Sequence, residues 1–295
     1  MDGMHGCRII DGKKIAALIS DETAELLRRG RGSGPTMLAI SIGSDATVES
    51  YSRQKERAAG ATGIGFRREH FGIDAGEEEV AAVLRRAAND AEVSAIMIHL
   101  PVPPRFDIDA LSGIIPPEKD VDCLSNVSRG MLFSGNPVFS PATAEAVMEI
   151  LKHEQVDTAG KHVVILGRSL TVGKPLANLL LMRGRSGDAT VTVCHSKSGD
   201  TAKFTREADI LVVAAGKPRM VTGEMIRRGA TVVDVGINTS LSPETGGKYC
   251  ITGDVDFDSA VSVAGAITPV PGGVGPVTSS VLMRNVARAW LKGLS

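Results

Sequence analysis

The chain has 295 residues, of which 43% are hydrophobic and 23% are charged, as in ordinary soluble globular proteins. At roughly 150 residues per domain this length predicts two domains, each large enough to bury a core. The formal net charge is −1 and only 3% of the residues are aromatic. This balance argues against nucleic-acid and membrane-surface proteins, because such proteins carry a basic excess.

Neither a membrane span nor a secretory signal is expected, since no run approaches about 18 apolar residues and the first residues lack an apolar core. The four cysteines (Cys7, Cys123, Cys194 and Cys250) are scattered. They favour a reducing cytoplasm over a disulfide framework or a zinc site. The six histidines show no metal-binding spacing, so no metal is expected.

Short β-branched runs alternate with amphipathic stretches along the chain, which is the pattern of a parallel α/β sheet. The predicted helices are 13–29, 49–60, 77–89, 144–152 and 278–294, with another beginning at Leu176. The predicted strands are 36–43, 93–100, 162–166, 189–194, 209–214, 231–235 and 266–269. The stretch 114–141 is predicted to be rich in loops.

A glycine-containing turn, Gly167-Arg168-Ser169-Leu170-Thr171-Val172-Gly173-Lys174-Pro175, joins a predicted strand to a predicted helix. Such a turn brings backbone N–H groups and a helix N-terminus close to a pyrophosphate. Its spacing is not G-x-G-x-x-G, and glycine turns of this kind are also common structural features. Further glycines at strand ends (Gly216 and Gly236) favour a dinucleotide site, because open α/β sheets bind their ligands there.

The type of dinucleotide follows from the end of the next predicted strand. An NAD site usually has an acid there, which binds the ribose 2′-hydroxyl. Here His195-Ser196-Lys197 follows instead, with no carboxylate to repel a 2′-phosphate. Arg168 can pair with that phosphate, assisted by Ser196. NADP is therefore the predicted cofactor, and solvated loop residues are the alternative interpretation.

Tyr51 and Lys55 lie four residues apart in a predicted helix, which places both side chains on one face. Such a pair can serve in proton transfer, because neighbouring groups shift the pKa values of the tyrosine and the lysine. The alternative interpretation is a contact between two surface side chains. Short-chain dehydrogenases also use Y-x-x-x-K, but their glycine-rich loop precedes the tyrosine. Here the loop follows the tyrosine by more than 100 residues, so the order excludes that class.

The motifs together cover nearly the whole chain in a recognisable order. They are Tyr51-x-x-x-Lys55, His99-Leu100-Pro101-Val102-Pro103, Pro117-Glu118-Lys119-Asp120-Val121-Asp122, the turn from Gly167 to Pro175, Val193-Cys194-His195-Ser196-Lys197, Val233-Asp234-Val235-Gly236-Ile237-Asn238, Gly253-Asp254-Val255 and Thr268-Pro269-Val270-Pro271-Gly272-Gly273-Val274-Gly275-Pro276. The last of these is highly specific. The chain resembles the bifunctional methylenetetrahydrofolate dehydrogenase/methenyltetrahydrofolate cyclohydrolase family.

That resemblance implies an α/β fold of two domains. Residues 1–143, completed by a C-terminal helix at 277–295, would form an N-terminal α/β substrate domain. Residues 144–276 would form a Rossmann-type NADP domain with a doubly wound parallel sheet. The resemblance also implies a homodimer that acts on tetrahydrofolate derivatives. The scattered cysteines and the charge balance add the expectation of a cytoplasmic protein without nucleic-acid or membrane partners.

The resemblance also assigns roles to individual residues. Lys55 would be the central catalytic group, Tyr51 would border the folate ring, and Asp122 would accept from the N–H donors of the pterin edge. The implied catalytic residues are Lys55, Tyr51, His99 and Asp122, and the implied folate-binding residues add Ile98, Leu100, Pro271, Gly272, Gly273, Val274 and Gly275. The implied cofactor-binding residues are Gly167, Arg168, Ser169, Val172, Gly173, His195, Ser196 and Ile237.

Two reactions follow from the resemblance: NADP-dependent oxidation of 5,10-methylenetetrahydrofolate to the methenyl form, and hydrolysis of the methenyl form to 10-formyltetrahydrofolate. Two alternatives stay open. One is a non-catalytic folate- or NADP-binding paralogue, which would not need both Tyr51 and Lys55. The other is a dehydrogenase that acts on a different pterin carrier.

The chain departs from the family pattern at four positions around the expected folate site. Val48, Cys123 and Ala142 stand where the family usually has serine, glycine and cysteine, and His99 stands where it has glutamine. A dehydrogenase with weak or lost cyclohydrolase activity is therefore a further alternative. Because histidine titrates near pH 6.5, the sequence predicts that hydrolysis weakens further below about that pH.

Overall fold

The computed structural model describes residues 6–30, 32–43, 46–184, 186–242 and 248–293. The chain forms two compact units. The N-terminal unit contains Ala16–Ala142 and Ser279–Ser295, and the C-terminal unit contains Thr143–Thr278 together with the chain up to Ile15. Within the described ranges, no helix is long and apolar enough to cross a membrane.

The elements alternate along the chain, as the sequence predicts for an α/β fold. The strands are β1 (Arg8–Ile9), β2 (Thr36–Ile42), β3 (Gly65–Phe71), β4 (Ala95–Ile98), β5 (His162–Leu166), β6 (Thr190–Cys194), β7 (Ile210–Val213), β8 (Thr231–Asp234), β9 (Asn238–Ser242), β10 (Lys248–Thr252) and β11 (Ala266–Ile267). The α-helices are α1 (Gly12–Arg29), α2 (Ala46–Thr62), α3 (Glu77–Asn89), α4 (Ile108–Ser112), α5 (Asn126–Phe133), α6 (Ala142–His153), α7 (Gly173–Leu181), α8 (Ala202–Thr205), α9 (Phe257–Val261) and α10 (Val274–Gly293).

The C-terminal unit is built on a six-stranded sheet in the order β1-β11-β8-β7-β5-β6. Every pair of neighbouring strands is parallel. From β5 the chain continues to β6 on one side and later to β7 on the other, so the strand order reverses at β5. The carboxyl ends of β5 and β7 thus flank the point at which open α/β sheets bind ligands. The predicted Rossmann-type parallel sheet is confirmed.

The N-terminal unit is built on a three-stranded parallel sheet in the order β3-β2-β4. Alternate residues of β2 and β4 (Leu38, Ile40, Ile96 and Ile98) lie in one apolar cluster. The α3 helix contributes Val80, Ala81, Leu84 and Ala87 to the same cluster. The other face of the sheet carries the residues that alternate with these, which include polar side chains.

The first described residues belong to the C-terminal unit, whereas the sequence places residues 1–143 in the N-terminal domain. The reason is strand pairing: Arg8 lies opposite Ala266 and Ile9 opposite Ile267, so β1 forms the edge of the six-stranded sheet. A strand of two residues is too short to show a period in the sequence.

The C-terminal helix begins at Val274, four residues before its predicted start. The added residues include Pro276. A proline is compatible with the first turn of a helix, because the missing N–H has no partner there in any case. The α7 helix likewise begins at Gly173 rather than Leu176, with Pro175 in its first turn.

Cys123 occupies a backbone conformation that favours glycine, with φ at +52°. The turn is fixed by Asp120, whose carboxylate accepts from the N–H groups of Leu124 at 2.8 Å and Ser125 at 2.9 Å. Burial raises the pKa of the Cys123 thiol to about 12, with the negative charges of Asp120 and Asp122 adding to the rise. The thiol is therefore protonated at neutral pH.

Because the Cys123 backbone lies in the left-handed region, we expect the Cys123→Gly variant to be more stable than Cys123→Ala by about 1 kcal/mol. Both variants lose the same sulfur, so the difference reports the backbone alone. Urea unfolding of the two variants, compared at their midpoints, measures it. An alanine variant as stable as the glycine variant would show that the turn relaxes without cost.

Candidate active site

The carboxyl end of the three-stranded sheet presents a row of polar side chains. Ser41 of β2 lies opposite His70 of β3, and the Ser41 hydroxyl is 3.0 Å from His70 Nδ1. His99 follows the Ile40–Ile98 pair by one residue, so it continues this row on the same face. Its backbone N–H donates to the Ile40 carbonyl at 2.8 Å.

The α2 helix carries Tyr51 and Lys55 and is tied to this face of the sheet. Arg68 of β3 pairs with Glu49 at 2.6 Å and with Glu56 at 3.6 Å, two carboxylates that lie two turns apart on α2. The expected helix at Tyr51-x-x-x-Lys55 is confirmed. The side chains of Tyr51 and Val48 lie outside the described part of the structure.

Lys55 and Asp122 are brought within electrostatic reach of each other, although 67 positions separate them. Burial lowers the pKa of Lys55, and the negative charge of Asp122 opposes this change. Burial also raises the pKa of Asp122, opposed by a hydrogen bond from the Ala142 N–H at 2.7 Å and by the charge of Lys55. The lysine can therefore reach its neutral form at a lower pH than an exposed lysine.

His99 is neutral over the physiological pH range. It is 3% exposed, and its Nε2 atom is buried without a hydrogen-bond partner among the described residues. Its pKa is lowered to about 3, mainly by burial, and the positive charges of Lys55 and Arg68 contribute in the same direction. The expected loss of hydrolysis below pH 6.5 through His99 protonation is therefore wrong, because the sequence alone shows neither the burial nor the two cations.

Two predicted folate-binding residues flank His99 and differ in their surroundings. The Ile98 side chain is 3% exposed and packs in the apolar cluster on the opposite face of the sheet. The Ile98 side chain therefore cannot lie beside His99, and only the Ile98 backbone is left to contact a ligand there. Leu100 is 38% exposed, so its side chain is accessible.

In the C-terminal unit, the predicted cofactor turn packs tightly at the end of β5. Gly167 has φ at +132°, and a methyl group on it would overlap the carbonyl oxygen of Ala214 at the end of β7. A methyl group on Gly173 would overlap the Gly167 carbonyl. Both glycines are thus required by close packing, and the turn leads directly into the N-terminus of α7, where an anionic group can bind.

The residues predicted to select NADP lie at neighbouring strand ends. Gly167 donates its N–H to the Cys194 carbonyl at 2.8 Å, which joins the turn after β5 to the end of β6. Arg168 and Ser196 are both exposed. The turn after β6 is closed by the His195 N–H, which donates to the Ser198 hydroxyl at 2.9 Å. The arrangement thus places a guanidinium and a hydroxyl at one edge of the sheet.

Asp234, at the end of β8, is a buried carboxylate without an assigned role in the sequence analysis. It accepts from the N–H groups of Gly236 at 2.9 Å, Asp254 at 3.0 Å and Val255 at 2.9 Å. Burial raises the pKa of Asp234 to about 6, which these hydrogen bonds oppose. The carboxylate thereby fixes the turn that leads to Ile237, whose side chain is 44% exposed.

The predicted loop 271–275 is divided between a turn and a helix. Pro271 is exposed and Gly272 has φ at +108°. Gly273 is buried, and its carbonyl oxygen lies so close to Gly12 that a methyl group on Gly12 would overlap it. Val274 is 4% exposed and begins α10 together with Gly275. A methyl group on Gly273 would overlap the Pro269 carbonyl oxygen, so packing within this unit requires Gly273 independently of any ligand.

Sequence reasoning missed two groups that shape these sites. Arg68 and His70 were not identified because β3 reads Gly-Phe-Arg-Arg-Glu-His-Phe, with charges on both faces that hide the alternation of a strand. Asp234 and Asp254 were present in the quoted motifs, but no role was given to them. The available signal is a carboxylate that ends a buried strand two residues before a glycine (Asp234), and a second one directly after a glycine (Asp254).

Comparison with known proteins identifies the family. Residues 10–122 match the model of the "Tetrahydrofolate dehydrogenase/cyclohydrolase, catalytic domain", and residues 141–293 match that of the "Tetrahydrofolate dehydrogenase/cyclohydrolase, NAD(P)-binding domain". The bifunctional protein FolD of Methanoculleus marisnigri is 43% identical over 284 residues, which are 95% of each chain. The FolD structure of Trypanosoma brucei, complexed with NADP cofactor and an inhibitor, has a TM-score of 0.92 at 39% identity and covers 99% of each chain. The chain belongs to the tetrahydrofolate dehydrogenase/cyclohydrolase family.

Proposed function

We propose that the protein oxidises 5,10-methylenetetrahydrofolate to the methenyl form with NADP⁺ and hydrolyses the methenyl form to 10-formyltetrahydrofolate. The N-terminal unit binds the folate and the C-terminal unit binds NADP. The observation that carries the proposal is the partly buried Lys55 within electrostatic reach of Asp122, on a helix that belongs to the matched catalytic domain.

The C-terminal unit fits a nicotinamide dinucleotide. Close packing requires glycine at positions 167 and 173, and the turn between them leads into the N-terminus of α7, where a pyrophosphate can bind. Arg168 and Ser196 would hold the 2′-phosphate. When bound, NADP⁺ supplies the hydride acceptor, and the protein aligns it with the one-carbon bridge of the folate.

Lys55 serves the hydrolysis because its pKa is lowered. In its neutral form it accepts a proton from the water that adds to the methenyl carbon. The resulting ammonium then returns a proton to N5 as the bond between that nitrogen and the one-carbon unit breaks. The second proton of the attacking water leaves as the formyl C=O forms, so one proton is released per turnover.

Asp122 has two roles in this arrangement. One oxygen, Oδ1, accepts from the Ala142 N–H, so the other is available to the N–H donors of a pterin. Its negative charge also favours the ammonium form of Lys55. This limits how far burial can lower the pKa of the lysine.

We expect wild type and His99→Gln to show parallel pH profiles for methenyltetrahydrofolate hydrolysis between pH 5.5 and 8, with a rate ratio constant within about twofold. The reason is that a histidine with a pKa of about 3 does not change charge in this range. Single-turnover decay, corrected for spontaneous hydrolysis, measures the ratio. An acid-side loss present in wild type and absent from the variant would contradict it.

Two of the alternatives, a dehydrogenase without hydrolase activity and a non-catalytic paralogue, are distinguished from the bifunctional enzyme by mixing the purified protein with methylenetetrahydrofolate and NADP⁺ while following the absorbance of NADPH and of the methenyl product. Formation of both, with subsequent decay of the methenyl signal, supports the bifunctional enzyme. A stable methenyl signal indicates a dehydrogenase without hydrolase activity. Binding without any change in absorbance indicates the non-catalytic paralogue.

The proposal includes a homodimer in a reducing compartment such as the cytoplasm. The four cysteines are free thiols in the structure, which supports such a compartment. The dimer rests on the family resemblance, and the sedimentation of the purified protein tests it.

A further inference from the structure

Asp254 is a wholly buried carboxylate that accepts hydrogen bonds from four donors. Its Oδ2 accepts from the backbone N–H groups of Ala215 at 2.6 Å and Gly216 at 2.8 Å. Its Oδ1 accepts from the Lys217 N–H at 2.9 Å and from the Asn238 side-chain amide at 2.8 Å. None of the steps proposed above uses this carboxylate.

The three backbone donors form one loop, residues 215–217, which directly follows β7 at the reversal of strand order. Ala214 donates its N–H to the Leu166 carbonyl at 2.7 Å, and its own carbonyl packs against Gly167 of the cofactor turn. The loop therefore continues directly from the residue that contacts that turn. Its outer side is exposed, and a methyl group on Gly216 would meet no atom within 4 Å.

Asp254 is itself held in place by the rest of the sheet edge. Its N–H donates to Asp234 Oδ1 at 3.0 Å, and the Asp234 N–H donates to the Thr268 hydroxyl at 2.8 Å. A methyl group on Gly236 would overlap the Asp254 carboxyl group. The network thus joins the residues that follow β7, β8 and β11.

Because three successive N–H groups point to this one carboxylate, both of its oxygens must act as acceptors. An asparagine would turn an amide N–H₂ toward at least one of these donors, and a buried donor would lose its partner. The loop would then be free to leave the position that borders Gly167.

We infer that Asp254 is a positioning residue for the dinucleotide, because it fixes from the inner side the loop 215–217, which continues from the Ala214 contact with the cofactor turn. The inference rests on the proposed NADP site. It assigns Asp254 no contact with the cofactor.

The test is Asp254→Asn in the full chain, with two readouts. In the cofactor-free protein, we expect hydrogen exchange at the amides of Ala215, Gly216 and Lys217 to become at least about tenfold faster. By calorimetry, we expect the Kd for NADP⁺ to rise by about tenfold or more. The KM for NADP⁺ should rise with it, by a larger factor than kcat falls at saturating cofactor.

Asp209→Asn is the matched control. Asp209 also accepts a backbone N–H, from His162 at 2.9 Å, but it lies at the amino-terminal edge of the same sheet. We expect this variant to leave the Kd for NADP⁺ within about twofold of wild type. Equal weakening by both variants would assign Asp254 a general structural role and overturn the inference.

If Asp254→Asn does not fold, Asn238→Ala removes one donor from Asp254 and keeps the three backbone amides. We then expect faster exchange at residues 215–217, because the carboxylate loses its contact with the Asn238 side chain and is held less firmly, and a two- to fivefold higher Kd for NADP⁺. Unchanged exchange and affinity would overturn the inference. A wild type that does not bind NADP⁺ would contradict the proposed cofactor and this inference with it, whereas equal binding by wild type and Asp254→Asn contradicts the inference alone.

Discussion

Lys55→Met should reduce the rate of methenyltetrahydrofolate hydrolysis by about 10²- to 10⁴-fold, the range expected when a general acid–base group is removed. The methionine fills much of the same space but cannot accept a proton from water or return one to N5. Oxidation of methylenetetrahydrofolate should fall less, because hydride transfer needs alignment rather than proton transfer. Single-turnover decay of the methenyl form and the initial rate of NADPH formation measure the two steps.

The pH dependence gives a second check on Lys55. Its neutral form is the active one in hydrolysis, so the wild-type rate should rise with pH up to the lowered pKa of the lysine and then level off. This rise should be missing from the Lys55→Met variant.

Lys119→Met is a matched control in the same unit. Lys119 donates to the carbonyls of Ala87 at 3.1 Å and Asp90 at 2.7 Å. This variant therefore also removes a lysine together with the hydrogen bonds that it makes. We expect a loss of stability but both activities within about threefold of wild type. If Lys119→Met lost hydrolysis as strongly as Lys55→Met, the effect would reflect damage to the fold rather than to the reaction.

Arg168→Ala should weaken NADP⁺ binding by about tenfold to a hundredfold, while NAD⁺ binding changes by less than about twofold. The guanidinium would pair with the 2′-phosphate, and a hydrogen bond to a charged group contributes about 1.5–3 kcal/mol. NAD⁺ lacks that phosphate, so its affinity does not depend on this ion pair. Calorimetric titration of both dinucleotides at one ionic strength measures the change, since salt screens the pair.

Arg227→Ala is the control for Arg168. Arg227 forms an ion pair with Asp209, at the amino-terminal edge of the same sheet, and its loss removes the same charge from the protein. We expect no change in the preference for NADP⁺. Equal affinity of wild type for the two dinucleotides would contradict the role of Arg168 directly.

Elements with a strong apolar period were predictable from the sequence. The predicted helix 77–89 agrees with α3 at both ends, because Val80, Ala81, Leu84 and Ala87 recur on one face. The predicted strand 162–166 agrees with β5 for a similar reason, since it is a short apolar run between polar residues. In both, the residues that specify the element also form its core.

Elements whose contacts come from distant residues were not predictable. The α5 helix, for example, lies in the stretch expected to be loops. The neighbourhood of Lys55 and Asp122 came from the family resemblance and not from spacing, since only the fold joins positions so far apart. The pKa of His99 depends on burial beneath other elements and on the charges of Lys55 and Arg68, which no local pattern contains.

The pairing of β1 with β11 determines which residues a fragment must contain if the C-terminal unit is to be produced alone. A fragment limited to residues 144–276 would lack β1, and one side of β11 would then present unpaired N–H and C=O groups. Such an open edge invites pairing with another chain and aggregation. It would also lose Gly12, whose neighbourhood includes the carbonyl of Gly273. A chain that joins the segment 6–15 to this unit through a short linker keeps both, so recombinant work on the isolated nucleotide-binding half needs an internal deletion rather than a simple truncation.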